Sequence, residues 1–201
     1  MIGRQGVGWL EYARRPQPRC TAQHTDRSAG ARAAFHLLAT AGQDPRDEGG
    51  RAGEQTLLVT GATSFTGRNL AERLLGESQR VRAMVRRSSD AHDLERMGAD
   101  LVVADLRDPP SVRRAVEGVD VVYHLAGIFR EASESRRKMF EVNVEETRSL
   151  LDAGVTRFAH CSTVGVHGDV KNPPADEAAP YAPGDIYQES KLEAELSPSI
   201  T

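Results

Sequence analysis

From Thr56 onward the apolar positions fall into two alternating rhythms. Short aliphatic runs recur at 56–60, 80–85, 100–104, 119–125 and 157–162. Each is too short for a helix and is bounded by polar or glycine-containing turns, so these five predict strands. Between them the apolar residues return at helical spacing, as in Leu70, Ala71, Leu74 and Leu75. This spacing predicts helices over 66–76, 90–97, 109–117, 135–152 and 185–196. Pro109 and Pro110 sit at the start of the third of these, where a helix tolerates proline. Near-continuous apolar strands separated by amphipathic helices imply a parallel sheet covered on both faces. The expected class is α/β, a Rossmann-like doubly wound parallel sheet that is incomplete on its C-terminal side.

Residues 1–54 break this pattern. They are rich in Gly, Arg, Gln, Asp and Pro, with helical character only over Ala31–Ala39 around Phe35, Leu37 and Leu38. The expectation is a mostly disordered leader ahead of one domain over 55–201. Glu11, Asp26, Asp44, Asp47 and Glu48 argue against a basic arm or a targeting peptide, and a misplaced gene start is the other explanation. The composition adds three constraints. With 39% hydrophobic but only 5% aromatic residues, the core must be aliphatic. A net charge of −3 gives no reason to expect nucleic acid or an anionic membrane as a partner, so a small molecule is the expected one. The absence of a long apolar span predicts a soluble, cytoplasmic protein. Cys20 and Cys161 are too far apart to suggest a disulfide framework. His160, Cys161 and His167 fit no metal spacing, so no metal is expected.

The most informative stretch is TLLVTGATSFTGRNLAERLL at 56–75. A strand leads into a turn holding Gly61, Thr63, Ser64, Phe65, Thr66 and Gly67, and a helix follows. This is how a Rossmann unit holds a dinucleotide. One glycine permits the sharp turn, the other permits close packing of helix on strand, and the helix start offers free N–H groups to a pyrophosphate. An ordinary strand-to-helix turn is the plainer alternative. The second strand ends at Val85 and is followed by Arg86 and Arg87. An NAD site commonly places an acid here for the ribose 2′-hydroxyl, whereas a guanidinium suits a 2′-phosphate. NADP is therefore favoured, NAD remains possible, and solvated surface charge is the plain alternative.

Asp105 and Leu106 follow the third strand, where Asp105 could meet an adenine amino group or cap the next helix. Leu125, Ala126 and Gly127 end the fourth strand, and small residues there let a cofactor lie against backbone. Tyr187 and Lys191 are four apart and share a helix face. An ammonium beside a phenol favours the phenolate, which makes a usable proton donor and acceptor. Ser162 and Thr163 end the fifth strand and offer a hydroxyl to a substrate oxygen. Taken alone, the Tyr/Lys spacing fits an exposed amphipathic helix equally well.

The motifs TGATSFTG, ADL, YHLAG, NVEETRSLL, CSTVGVHG and YQESK, in that order, resemble the N-terminal portion of an extended short-chain dehydrogenase/reductase. This is the NAD-dependent epimerase/dehydratase group, which includes dihydroflavonol reductases, 3β-hydroxysteroid dehydrogenases and sugar-nucleotide epimerases. The resemblance covers about residues 56–196. It implies NAD(P)-dependent hydride transfer between nicotinamide and a carbinol or carbonyl. It implies that Tyr187 is the acid/base, that Lys191 tunes it and holds the nicotinamide ribose, and that Thr163, with Ser162 beside it, orients substrate. Asn143 matches a position closer to structure than to chemistry. The chain departs from the pattern at Ser64, which replaces a glycine and would crowd the pyrophosphate, and in the short stretch from Asp152 to Thr156. It also stops soon after the tyrosine helix, which implies truncation and a fifth strand with a bare edge. A cofactor-binding module without turnover, or an inactive gene product, is the competing expectation. Only the segment 164–186 is left to cover the site. Its prolines and its acids Asp169, Asp176, Glu177 and Asp185 favour a small neutral carbonyl over a nucleotide sugar.

Overall fold

The computed structural model describes residues 37–39, 55–129, 135–171, 174–176 and 178–197. The leader expected over 1–54 therefore lies outside the described residues, apart from Leu37–Ala39. Glu177 and Cys20 also lie outside them.

The five strands lie where the apolar rhythm predicts. They are β2 (Thr56–Thr60), β3 (Arg80–Val85), β4 (Asp100–Val103), β5 (Val121–His124) and β6 (Phe158–Cys161). They pair in parallel in the order β6-β5-β2-β3-β4, in register through Leu57 with Val81 on one side and Val121 on the other. The chain thus winds outward from β2 in one direction to β4, then returns to wind the other way to β6. Ligands of doubly wound sheets bind at the carboxyl ends where the winding reverses, here between β2 and β5.

The helices are α1 (Phe65–Gly76), α2 (His92–Arg96), α3 (Pro109–Val116), α4 (Arg136–Phe140), α5 (Glu146–Asp152) and α6 (Ile186–Glu195). A π-helical turn, Glu141–Glu145, joins α4 to α5, so the single helix expected over 135–152 carries a wide turn inside it. Alternation along the strands sorts the core onto two faces. Leu57, Val59, Val81 and Ala83 pack with Ala71 and Leu74 of α1 and Leu94 of α2. Leu58, Met84, Val122 and Phe158 pack with Val112 and Ala115 of α3 and Leu150 of α5. The sheet is covered on both sides almost wholly by aliphatic groups, as the low aromatic content requires.

Two expectations are corrected by β1 (Leu37–Ala39). The spacing over 31–39 suggests a helix, but 37–39 is extended and pairs antiparallel with β6, Leu38 opposite His160. Backbone pairing along an open edge outweighs a weak helical preference in so short a segment. The edge of β6 is accordingly not bare over Ala159–Cys161.

One buried polar chain locks the centre. Thr147 Oγ1 donates to the Asn143 carbonyl at 2.8 Å, so its oxygen must accept from His124 Nε2 at 3.0 Å. Nδ1 of His124 then accepts from Thr60 Oγ1 at 2.7 Å, and that oxygen accepts from the Ala126 amide at 3.2 Å. Every group in this chain is satisfied with a neutral imidazole. Burial, aided by the nearby Lys191 charge, holds His124 down to about 3, so it stays neutral at ordinary pH.

The tightest constraint lies at the first turn. Gly61 has φ +64°, and a Cβ on Gly67 would come within 2.2 Å of the Gly61 carbonyl oxygen. Gly67→Ala should therefore push α1 off the sheet and destabilise the chain by about 1–3 kcal/mol. Urea denaturation measures this. An unchanged midpoint would mean that the helix is free to slide.

Candidate functional site

A cleft of about 1110 Å³ opens over the carboxyl ends of β2, β3, β4 and β5. Its lining brings together Gly61, Thr63, Ser64, Arg86, Asp105, Leu106, Leu125, Ala126 and Gly127, all of them candidates from sequence. Phe65, Thr66, Gly67 and Arg87 are not among its walls. Gly67 acts behind the wall by letting α1 approach, and Phe65 is 87% exposed.

The floor of the cleft is backbone. A Cβ on Gly61 would lie 2.8 Å from both the Ala126 nitrogen and the Leu125 carbonyl carbon, so only glycine lets β2 and β5 close up here. Ser64 is the N-cap of α1, and its Oγ accepts from the Gly67 amide at 3.1 Å. The serine that replaces a glycine thus turns its hydroxyl to capping. The amides of Phe65 and Thr66, at the first turn of α1, have no partner among the described residues and carry the positive end of the helix dipole.

Asp105 does not cap the next helix; Asp108 occupies that position. The Asp105 carboxylate instead grips Arg107, accepting from Nε at 2.9 Å and Nη2 at 2.6 Å as well as from the Arg107 amide at 2.9 Å. These bonds hold Asp105 down at about 2 and push the Arg107 guanidinium up.

The Tyr/Lys pair lies on α6, beyond the β5 end of the cleft. Asp185 caps this helix by accepting from the Gln188 amide at 2.8 Å. The half-buried Tyr187 meets the cleft-wall residue Phe129 edge-on, ring centroids 5.0 Å apart. Lys191, one turn on, is 5% exposed. Its ammonium makes no hydrogen bond or ion pair among the described residues. Burial pulls it down to about 8, against the opposing influence of Cys161 and Glu195. Thr163 is half-buried, and its Oγ1 accepts from the Gly165 amide at 3.2 Å, which leaves its proton for another acceptor. Ser162 differs, because its Oγ donates to Glu195 Oε2 at 2.7 Å.

Asn143 is structural in its contacts. Its Oδ1 accepts from the Ile128 amide at 2.8 Å, and its Nδ2 donates to the Ile128 carbonyl and to Ser190 Oγ at 3.1 and 2.9 Å. It thereby ties the loop after β5 to the tyrosine helix. His160 lies in the core with its ring stacked on Phe158, and His167 stacks on Tyr181. Among the described residues no cluster of His, Cys, Asp and Glu could hold a metal ion.

Sequence reasoning passed over two acids. Glu195 sits at the end of α6, buried, and accepts from both Ser162 and Tyr181. Its position one turn after Lys191 was the available signal. Glu146 lines the cleft, and burial, reinforced by Asp105, pushes it up to about 7. Only its place after the π-helical turn aims it there, and nothing in the sequence marked that turn.

The burial of Lys191 has a measurable consequence. Its folded value lies below its ordinary 10.5, so between about 8 and 10.5 the unfolded chain holds a proton that the folded chain has released. Stability from this group therefore rises with pH through that window. Comparing the parent with Lys191→Met cancels the other groups. The parent should gain about 2 kcal/mol on the variant between roughly pH 7.5 and pH 10, read by urea denaturation. A constant difference would mean an ordinary, solvated lysine.

The same architecture recurs in known proteins. The chain is 38% identical to the sterol demethylase protein B of Methylococcus capsulatus over 147 residues, 70% of this chain and 45% of that one. It is 34% identical to the 3-beta-hydroxysteroid dehydrogenase of Mycolicibacterium neoaurum, covering 69% of this chain and 41% of the other. A crystal structure of a short-chain dehydrogenase/reductase superfamily protein from Agrobacterium tumefaciens, with bound NAD, superposes with a TM-score of 0.61. That protein is 34% identical, and the match covers 70% of this chain and 43% of that chain. The chain thus spans less than half the length of each of these relatives. Among the described residues no helix is long and apolar enough to cross a membrane. Residues 57–197 match the NAD dependent epimerase/dehydratase family, and the chain belongs to that family.

Proposed function

We propose that this chain carries the cofactor-binding and proton-transfer site of an NADP-preferring oxidoreductase acting on a neutral alcohol or ketone. One observation carries the reading. The cleft has a glycine floor at its middle and a guanidinium at the β3 end, and beyond its β5 end the tyrosine of the Tyr/Lys helix meets the cleft-wall residue Phe129.

The residues present fit a nicotinamide dinucleotide. The close approaches at Gly61 and Gly67, which no side chain allows, hold the start of α1 against the end of β2, and the Phe65 and Thr66 amides there supply donors for a diphosphate. The Arg86 guanidinium, in the cleft wall just after β3, supports the reading of a ribose 2′-phosphate at that end. Ala126 and Gly127 present little bulk to the nicotinamide half. When bound, the nicotinamide accepts or supplies the hydride.

The chain's own residues handle the proton. In oxidation, Tyr187 Oη takes the proton from the carbinol oxygen as the carbon–hydrogen bond gives up its electron pair; in reduction it returns that proton to the carbonyl oxygen. Lys191, four residues on and nearly dry, favours the phenolate and is uncommitted toward a ribose hydroxyl. Thr163 keeps a proton to donate to the substrate oxygen. Ser162 and Glu195 brace the turn beneath.

The acids of 164–186 weigh less on substrate choice than their number suggests. Asp185 is occupied in capping, and Asp169 pairs with Lys171 at 2.6 Å. The preference for a neutral carbinol is supported instead by the names of the relatives, one a sterol demethylase protein and one a hydroxysteroid dehydrogenase.

Titration with NADPH and NADH, followed by nicotinamide fluorescence, tests the cofactor reading. NADPH should bind tighter, and Arg86→Asp should weaken NADPH about tenfold to a hundredfold, the loss of one charge-assisted contact worth ~1.5–3 kcal/mol, while leaving NADH nearly unchanged. Tyr187→Phe should retain NADPH and abolish reduction of a steroid ketone. A folded chain that binds neither cofactor would sink the proposal, and undiminished reduction by the Phe variant would remove Tyr187 from it.

A further inference from the structure

Glu146 is a half-buried carboxyl in the cleft wall with no hydrogen bond or ion pair among the described residues. Withdrawing a carboxyl from water without a donor is unfavourable, and burial accordingly raises its affinity for a proton, with Asp105 adding to the effect and Arg107 and Arg86 opposing it. Its neighbour is arranged otherwise. Both oxygens of Asp105 accept from the Arg107 guanidinium. Besides the exposed Glu141, the cleft therefore contains one acid whose acceptor capacity is taken up by the protein and one half-buried acid whose capacity is open.

Which end of a dinucleotide would meet it follows from the topology. A diphosphate at the start of α1 sits in the middle of the cleft. Tyr187 and Thr163 lie toward β6, so the nicotinamide must run that way. The nucleoside at the other end must then run toward β3 and β4, over Arg86, Asp105, Leu106 and Glu146. Beyond its ribose hydroxyls, that nucleoside has one strong donor, the exocyclic amine of the purine.

We propose that Glu146 accepts a hydrogen bond from the exocyclic amine of the bound purine, and so selects an aminopurine over an oxopurine dinucleotide. The proposal rests on the dinucleotide reading of the cleft. An oxopurine would turn a carbonyl oxygen toward the carboxylate, losing a hydrogen bond and adding repulsion.

NADH and its hypoxanthine analogue share the fluorescent nicotinamide and differ only at the base, so the same readout serves both. At about pH 8 the full chain should bind NADH at least tenfold tighter than the analogue, since a charged-group hydrogen bond is worth roughly tenfold or more. Glu146→Gln can offer the amide's oxygen or its nitrogen, and the ratio should fall to within about threefold. A second measurement needs no variant. Lowering the pH from about 8 to about 6 protonates Glu146, which lets it donate to the oxopurine, so the parent's ratio should shrink. The other charged groups facing that end are Asp105, Arg107, Arg86, Glu141 and Lys138. Asp105, held at about 2, stays ionised throughout. A ratio near one in the parent, or one unchanged by both the substitution and pH, overturns the proposal while leaving dinucleotide binding intact. Failure to bind either compound overturns the dinucleotide reading and this proposal with it.

Discussion

The contact between Gly67 and the carbonyl of Gly61 sets the geometry on which the rest depends. Two backbones meet there at a distance no side chain allows. The helix axis is thereby fixed against β2, and the N-terminus of α1 is held over the point where the winding of the sheet reverses. The same requirement recurs across the strand pair, where Gly61 presses on Leu125 and Ala126. Neither contact contributes much apolar burial. Their effect is to aim a helix dipole and bare amides at one place, and the aliphatic core then holds that aim.

A second layer keeps the two ends of the cleft in register. The bonds through Thr60, His124, Thr147 and Asn143 run from β2 through β5 into the π-helical turn, and Asn143 continues to Ser190 on the tyrosine helix. The network works with uncharged members, so it avoids burying an ion in the middle of the sheet. Ser190 also returns its proton to the Tyr187 carbonyl at 2.7 Å, which seats the first turn of α6. Tyr187 is thus positioned from β2, some way across the sheet, by short hydrogen bonds as well as by its ring contact with the cleft-wall residue Phe129.

The fold was largely legible because its signal is periodicity. Aliphatic runs of four to six residues between helical spacings leave few alternatives to a parallel sheet, and the five strands fall within a residue or two of the expected bounds. Leu37–Ala39 was not legible, because an edge pairing is decided by a partner far along the chain. Within the site, residues that act through backbone or chain order, such as Gly61, Gly67 and Ala126, could be read from their types. Glu146 could not, since its direction depends on the wide turn at Glu141–Glu145. Asp105 was read by position, but its carboxylate is taken by Arg107 two residues away, a local pairing with no periodic signature.

Satisfaction of polar groups separates the charges around the site into two kinds. Glu195 is buried with two hydroxyl donors on its two oxygens, and Asp105 is gripped by a guanidinium. Both have their acceptors taken up by the protein, and Asp105 also holds the Arg107 amide. Lys191 and Glu146 are withdrawn from water with no partner in the described chain, and burial is the leading cause of the shift in each. They lie apart, Lys191 one helical turn after the tyrosine and Glu146 in the cleft wall. An unpartnered charge lowers the stability of the free chain, and on the proposed dinucleotide reading the groups that would relieve these two are a ribose hydroxyl for Lys191 and a purine amine for Glu146.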